Sequence, residues 1–125
     1  MIENRFATQI IGGAIEVHRV LGPGLLETAY HECLKHELEL QNIQYESEVY
    51  VPIRYKELLL GNAYRLDLLV ENKIIVELKT IDKITDIHKA QLLTYLRLTG
   101  CKLGLLINFN VTLLKNGVTR IVNNL

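Results

Sequence analysis

The stretch Tyr64-Arg65-Leu66-Asp67-Leu68-Leu69-Val70-Glu71-Asn72-Lys73-Ile74-Ile75-Val76-Glu77-Leu78-Lys79 consists of two β-rich runs on either side of a polar break at Glu71 to Lys73. That pattern marks the two strands of a hairpin. With a three-residue turn, Glu71 to Lys73, Leu66 faces Leu78, Leu68 faces Val76 and Val70 faces Ile74, so one face is wholly apolar. A two-residue turn pairs Leu66 with Glu77 and Val70 with Lys73 and mixes the faces. Burial therefore selects the three-residue turn.

In that register Asp67 falls opposite Glu77, with Cβ atoms about 4.5 to 5.5 Å apart, and Lys79 lies two residues along on the same face. Two carboxylates this close repel each other, and one pKa rises unless a cation sits between them. A hard divalent ion such as Mg²⁺ suits the place, because it takes oxygen ligands and often only one or two carboxylates. Lys79 would then orient or help deprotonate a metal-bound water, or stabilise charge developing on a phosphate. The same three side chains can instead form a cross-strand salt network on a solvated face. Spacing alone leaves both readings open.

Outward from the hairpin, Phe6, Ile10, Ala14, Val17 and Leu21 recur at three- and four-residue steps and predict an amphipathic helix over 4–20. Gly12 and Gly13 each cost that helix about 1 kcal/mol relative to Ala, a cost to be offset by close approach of another backbone. Gly22-Pro23-Gly24 ends it, and Leu26, Tyr30, Cys33, Leu34 and Leu38 mark a second helix over 25–40. Short β-rich runs follow at 44–54, 57–61, 63–70 and 74–80, an antiparallel meander by their short connections. Thr85 caps a third helix, with Asp86 in its first turn and Gly100 just past its end. Leu103 to Phe109, Val111 to Leu114 and Val118 to Val122 read as further strands. The expected fold is α/β, with a mixed central β-sheet flanked by helices.

The chain has 125 residues, 49% of them hydrophobic, with 14 Lys+Arg against 14 Asp+Glu. This predicts one domain, residues 1–125, large enough to fold without disulfides or a structural metal. A zero formal charge argues against a protein that coats nucleic acid by electrostatics alone. The charge is nonetheless polarised. Residues 27–48 carry six acids (Glu27, Glu32, Glu37, Glu39, Glu46, Glu48) and one base (Lys35), whereas 79–102 carry five bases (Lys79, Lys83, Lys89, Arg97, Lys102) and two acids (Asp82, Asp86). Cys33 and Cys101 lie far apart, with no Cys/His cluster at zinc spacing. No apolar run approaches the ~20 residues of a membrane span, and MIENRFATQI lacks a signal peptide's features. A cytoplasmic location with no membrane partner is the expectation.

Asp67 followed by Glu77-x-Lys79, on a hairpin behind an acidic helix and ahead of another helix, resembles the PD-(D/E)xK nuclease superfamily. Gly24-Leu25-Leu26-Glu27-Thr28-Ala29-Tyr30 is similar to the motif that names its GxxExxY branch, and the likeness runs from about Phe6 to Ile121. The resemblance implies a restriction-endonuclease-like fold and hydrolysis of phosphodiester bonds in nucleic acid, DNA before RNA, with Mg²⁺ or Mn²⁺ as cofactor. It implies Asp67 and Glu77 as metal ligands, the Leu78 carbonyl as a third, Lys79 as the catalytic lysine, and Glu27 as an acid that reaches the metal through water. Leu66 stands where the superfamily pattern has Pro. The superfamily also contains members without catalysis, which keeps open an inactive nucleic-acid-binding or protein-interaction module. A homodimer fits a nuclease that cuts two strands.

Taken without the resemblance, Glu27 reads as an N-terminal acid favoured by the helix dipole. Gln91 and Tyr95 are i and i+4 and share a helix face. That pair resembles a further motif of exonuclease-like branches, which implies contact with the substrate backbone or the lysine; the alternative is a polar helix flank. His18 reads as a surface histidine or a helix C-terminal charge, although a similar segment of the family permits its approach to the site. His31 and His36 receive no role.

Overall fold

A computed structural model describes residues 1–125. Helices α1 (Ile2–Leu21) and α2 (Glu27–Leu40) are followed by strands β1 (Tyr45–Tyr55), β2 (Leu58–Val70) and β3 (Ile74–Lys79). Helix α3 (Asp86–Thr99) then leads to β4 (Leu103–Asn108), a 3₁₀ turn (Leu114–Gly117) and β5 (Val118–Val122). The five strands form one sheet in the order β1-β2-β3-β4-β5. β3 and β4 are parallel and every other pair is antiparallel. Because a parallel pair needs a crossover, α3 provides it. The fold is the expected α/β arrangement with a mixed sheet.

The centre of the sheet, β3, β4 and the end of β2, is buried on both faces. On one, Ile10, Ala14 and Val17 of α1 and Tyr30, Leu34 and Leu38 of α2 pack on Leu68, Val70, Ile74, Val76, Leu78, Leu103, Leu105 and Ile107. On the other, Leu92, Tyr95 and Leu96 of α3 pack on Val51, Leu66, Ile75 and Leu106. Gly13 lets α2 approach, since a Cβ there would lie 3.2 Å from the Glu37 Cβ and 3.3 Å from the Gln41 Nε2. Gly12, expected to serve the same end, faces open space. The neighbour of Gly13 is also side chain rather than the expected backbone. Helix α3 begins with a reciprocal cap: the Thr85 hydroxyl accepts from the His88 amide, and the His88 Nδ1 accepts from the Thr85 amide at 2.9 Å. Gly100, in the left-handed region at φ 78°, closes its other end.

The structure corrects the sequence reading in three places. The runs 57–61 and 63–70 are one strand, β2, rather than two. β1 pairs Val51 with Tyr64 and Ile53 with Leu60, so Gly61 to Ala63 bulge opposite Pro52 instead of turning. Pro52 has no amide to donate to the ladder, which is why the irregularity sits there. Val111 to Leu114 is not a strand, because β4 already has β3 and β5 on its two sides. Instead Leu114 starts the 3₁₀ turn and is buried under α1.

The third correction bears on the site. The register Leu68↔Val76, Leu69↔Ile75, Val70↔Ile74 is that of the three-residue turn. However, Leu66 does not join the apolar face with Leu78. Leu68 packs under α1 and α2, whereas Leu66 packs under α3. In a regular strand residues two apart share a face, so β2 changes face at Asp67. β1 changes face with it: Ser47 reaches His31 of α2, Val49 packs on the α3 side, and Glu48 between them has φ 57°.

Candidate functional site

Asp67 is therefore the residue at which β2 leaves the regular ladder. Past the pair Leu68↔Val76, side chains replace backbone in the bonding of β2 to β3. The Asp67 amide donates to the Glu77 Oε2 at 2.8 Å, and the Leu78 amide donates to the Asp67 Oδ2 at 2.8 Å. One oxygen of each carboxylate is thus committed to the neighbouring strand. The other has no protein partner and reaches solvent, for no buried side-chain oxygen is left unsatisfied.

Glu77 is 6% exposed, and burial, then the Asp67 carboxylate, pushes its carboxyl up to about 8. Its bond from the Asp67 amide and the charge of Lys79 pull the other way without cancelling the rise. Lys79 ends β3, is half-buried and forms no ion pair. Glu27 is the first residue of α2 and exposed, yet the crowding of its neighbours, then Asp67, raises its carboxyl, while Lys79 and His31 lower it. These mutual influences bring Glu27, Asp67, Glu77 and Lys79 into one electrostatic neighbourhood, between the start of α2 and the opening of β2 from β3.

Tyr95 is 4% exposed on α3, its ring tilted against Tyr64 at 5.1 Å between centroids. Burial, then Glu77, Tyr64 and Asp67, push its hydroxyl up to about 12. Gln91, one turn before it, is exposed and makes no side-chain hydrogen bond with the carboxylates. His18 is not on the surface as expected: it is 8% exposed, tilted against Phe109, and its Nε2 bonds the Val111 carbonyl at 2.8 Å. It ties α1 to the loop after β4. His31, given no role from sequence, stands one turn after Glu27 and bonds the Ser47 hydroxyl at 3.3 Å. Its signal was the i, i+4 spacing from Glu27.

Gly24, Glu27 and Tyr30 each do separate local work. Gly24 takes φ 94°, a conformation L side chains rarely adopt. Tyr30 is fully buried, and its hydroxyl donates to the Gly22 carbonyl at 2.6 Å and accepts from the Leu25 amide at 3.1 Å.

No group of three or more His, Cys, Asp and Glu side chains converges at metal-holding distance. What the site offers a cation is the two open oxygens of Asp67 and Glu77, partly solvated and both acceptors once Glu77 is ionised. That donor set fits Mg²⁺ or Mn²⁺, which keep several waters, and not a soft metal.

A family model described as the PD-(D/E)XK nuclease superfamily matches residues 4–121. Among solved structures, that of SSO0001 is similar, with a TM-score of 0.57 and 24% identity over 76% of this chain. The match covers 48% of that protein, so this chain corresponds to about half of its length. That likeness concerns the fold. No curated protein matches the chain. No helix is long and apolar enough to cross a membrane.

Proposed function

The chain belongs to the PD-(D/E)XK nuclease superfamily, and from that premise we propose that it hydrolyses phosphodiester bonds in nucleic acid, DNA before RNA, with a divalent metal as cofactor. The observation that carries this reading is the pair of carboxylates at the break in β2, each holding one oxygen open beside Lys79. A purely structural pair has no need of a buried Glu77 facing another carboxylate. Within the superfamily, the spacing of Gly24, Glu27 and Tyr30, similar to the motif of the GxxExxY branch, supports membership of that branch.

Asp67 and Glu77 would hold Mg²⁺ or Mn²⁺, with the Leu78 carbonyl as a further oxygen and Glu27 acting through water. When bound, the metal supplies a lowered pKa for its water and charge stabilisation at the phosphate. Lys79 positions the attacking water and faces the charge that develops on the phosphate. Glu77 must give up its proton before it can serve as a ligand, which Lys79 favours. Tyr95, buried and high in pKa, keeps its proton and serves as a donor toward the carboxylates or the strand backbone, with Gln91 at the substrate-facing end of α3.

A second reading is binding on the same fold without turnover, as a nucleic-acid or protein-interaction module. It is favoured by the lack of any three converging ligand side chains. Calorimetric titration with Mn²⁺ separates the two. Heat of binding in the wild type that disappears in Asp67→Asn, together with Mn²⁺-dependent cleavage of DNA, is the expected result. Nucleic-acid binding indifferent both to Mn²⁺ and to Asp67→Asn would establish the second reading instead.

A further inference from the structure

We infer that Tyr30 is a positioning residue, a strut that sets Glu27 of α2 relative to Lys79 of β3. The inference rests on the nuclease reading for its catalytic consequence but on geometry for the strut. From one end, the Tyr30 hydroxyl bridges the Gly22 carbonyl and the Leu25 amide, two residues before Glu27. From the other, its ring stacks on Phe109 with centroids 4.3 Å apart and planes 9° from parallel. The Phe109 amide in turn donates to the Lys79 carbonyl at 2.9 Å. A single buried side chain thus joins the approach to Glu27 with the residue that holds the end of β3.

Within the loop that leads into α2 the connection has no substitute, and the His31 bond to Ser47 ties the helix to β1 instead. Leu26, at the N-cap of α2, has no side-chain acceptor for the first helical amides. The loop before it runs through Gly22 at φ 70° and Gly24 at φ 94°, residues that leave the unclamped chain free to take other conformations. Without the hydroxyl, the Leu25 amide and the Gly22 carbonyl lose their bridge, and the first turn of α2 loses its tie to the loop before it.

Tyr30→Phe tests this, because phenylalanine keeps the stack on Phe109 and removes only the bridge. Hydrogen exchange is expected to quicken about tenfold at Leu25 and in the first turn of α2 while β3 and β4 stay protected. Mn²⁺-supported cleavage of DNA is expected to lose about tenfold in kcat with KM unchanged, and less than about twofold when Tyr30→Phe is made in a Glu27→Gln background. An equal loss in both backgrounds would mean that Tyr30 acts on general stability and not through Glu27, which overturns the inference. Unchanged exchange at Leu25 overturns it too. If the wild type cleaves nothing, the nuclease reading fails with the catalytic consequence, and exchange at Leu25 still judges the strut.

Discussion

β3 and β4 lie side by side in parallel, each six residues long, and each buries one polar side chain: Glu77 at 6% exposure and Asn108 at 2%. Their surroundings differ completely. The Asn108 Oδ1 accepts from the Ile81 and Asn110 amides at 3.1 and 3.2 Å, and its Nδ2 donates to the Ile81 carbonyl at 2.9 Å. Glu77 accepts one bond, from the Asp67 amide, and looks across at a second carboxylate. A neutral amide saturated by local backbone holds a loop in place at little electrostatic cost. An ionisable group left half-satisfied is costly to keep, and that cost is the ground on which a chemical role is proposed for Glu77 and a structural one for Asn108.

The contrast breaks most sharply on activity. Asp67→Asn and Lys79→Ala are each expected to lower metal-dependent cleavage about a thousandfold or more while the thermal transition stays near that of the wild type. Cleavage by either variant at the wild-type rate would put Glu77 in the same class as Asn108.

Next in size is a pH effect confined to β3. The Glu77 carboxyl lies near 8 in the folded chain, above its ordinary value of 4.5. Between those values the folded protein retains a proton that the unfolded chain releases. Stability in the presence of a chelator is therefore expected to fall as pH rises from about 5 to about 8, by up to about 1.4 kcal/mol per unit, and to level above that. Urea unfolding at several pH values reads the slope, and Glu77→Gln should flatten it. A slope that survives in Glu77→Gln would move the titration to another group.

Asn108→Ala should behave oppositely. It leaves the Ile81 amide without a partner and the Ile81 carbonyl with only the Asn110 Nδ2, and is expected to cost about 2 kcal/mol with no change in the pH profile; urea midpoints at constant m-value check it. The smallest effect is a packing one on β4. A Cβ at Gly104 would come 2.8 Å from the Leu92 side chain, and Gly104→Ala is expected to cost about 1 kcal/mol as α3 shifts. Calorimetric melting measures this, and an unchanged transition would mean Leu92 has room to turn aside.

The candidate site was legible in the sequence to an unequal degree. Asp67, Glu77 and Lys79 could be placed because the turn register follows from burial of Leu68, Val70, Ile74 and Val76, and register carries every side chain with it. The role of Leu66 could not be read. Periodicity assumes an unbroken pleat, and the pleat breaks at Asp67, where carboxylates take over bonds that backbone makes elsewhere. His18 was misread for a related reason. Its position near the end of α1 suggests a surface charge, whereas its burial depends on Val111, 93 residues away.

The sequence by itself determined the three helices and their places in the chain, the hairpin turn, the caps of α3 and the placing of two carboxylates and a lysine on neighbouring strands. All of these rest on interactions between residues close in the chain, which leave a local pattern. The tertiary structure alone decided that β2 changes face at Asp67, that Glu27 comes near that pair, and that Tyr30 spans from Gly22 and Leu25 to Phe109. Those outcomes depend on which surfaces of α2, α3 and the sheet meet, and packing between distant segments writes no period into the chain.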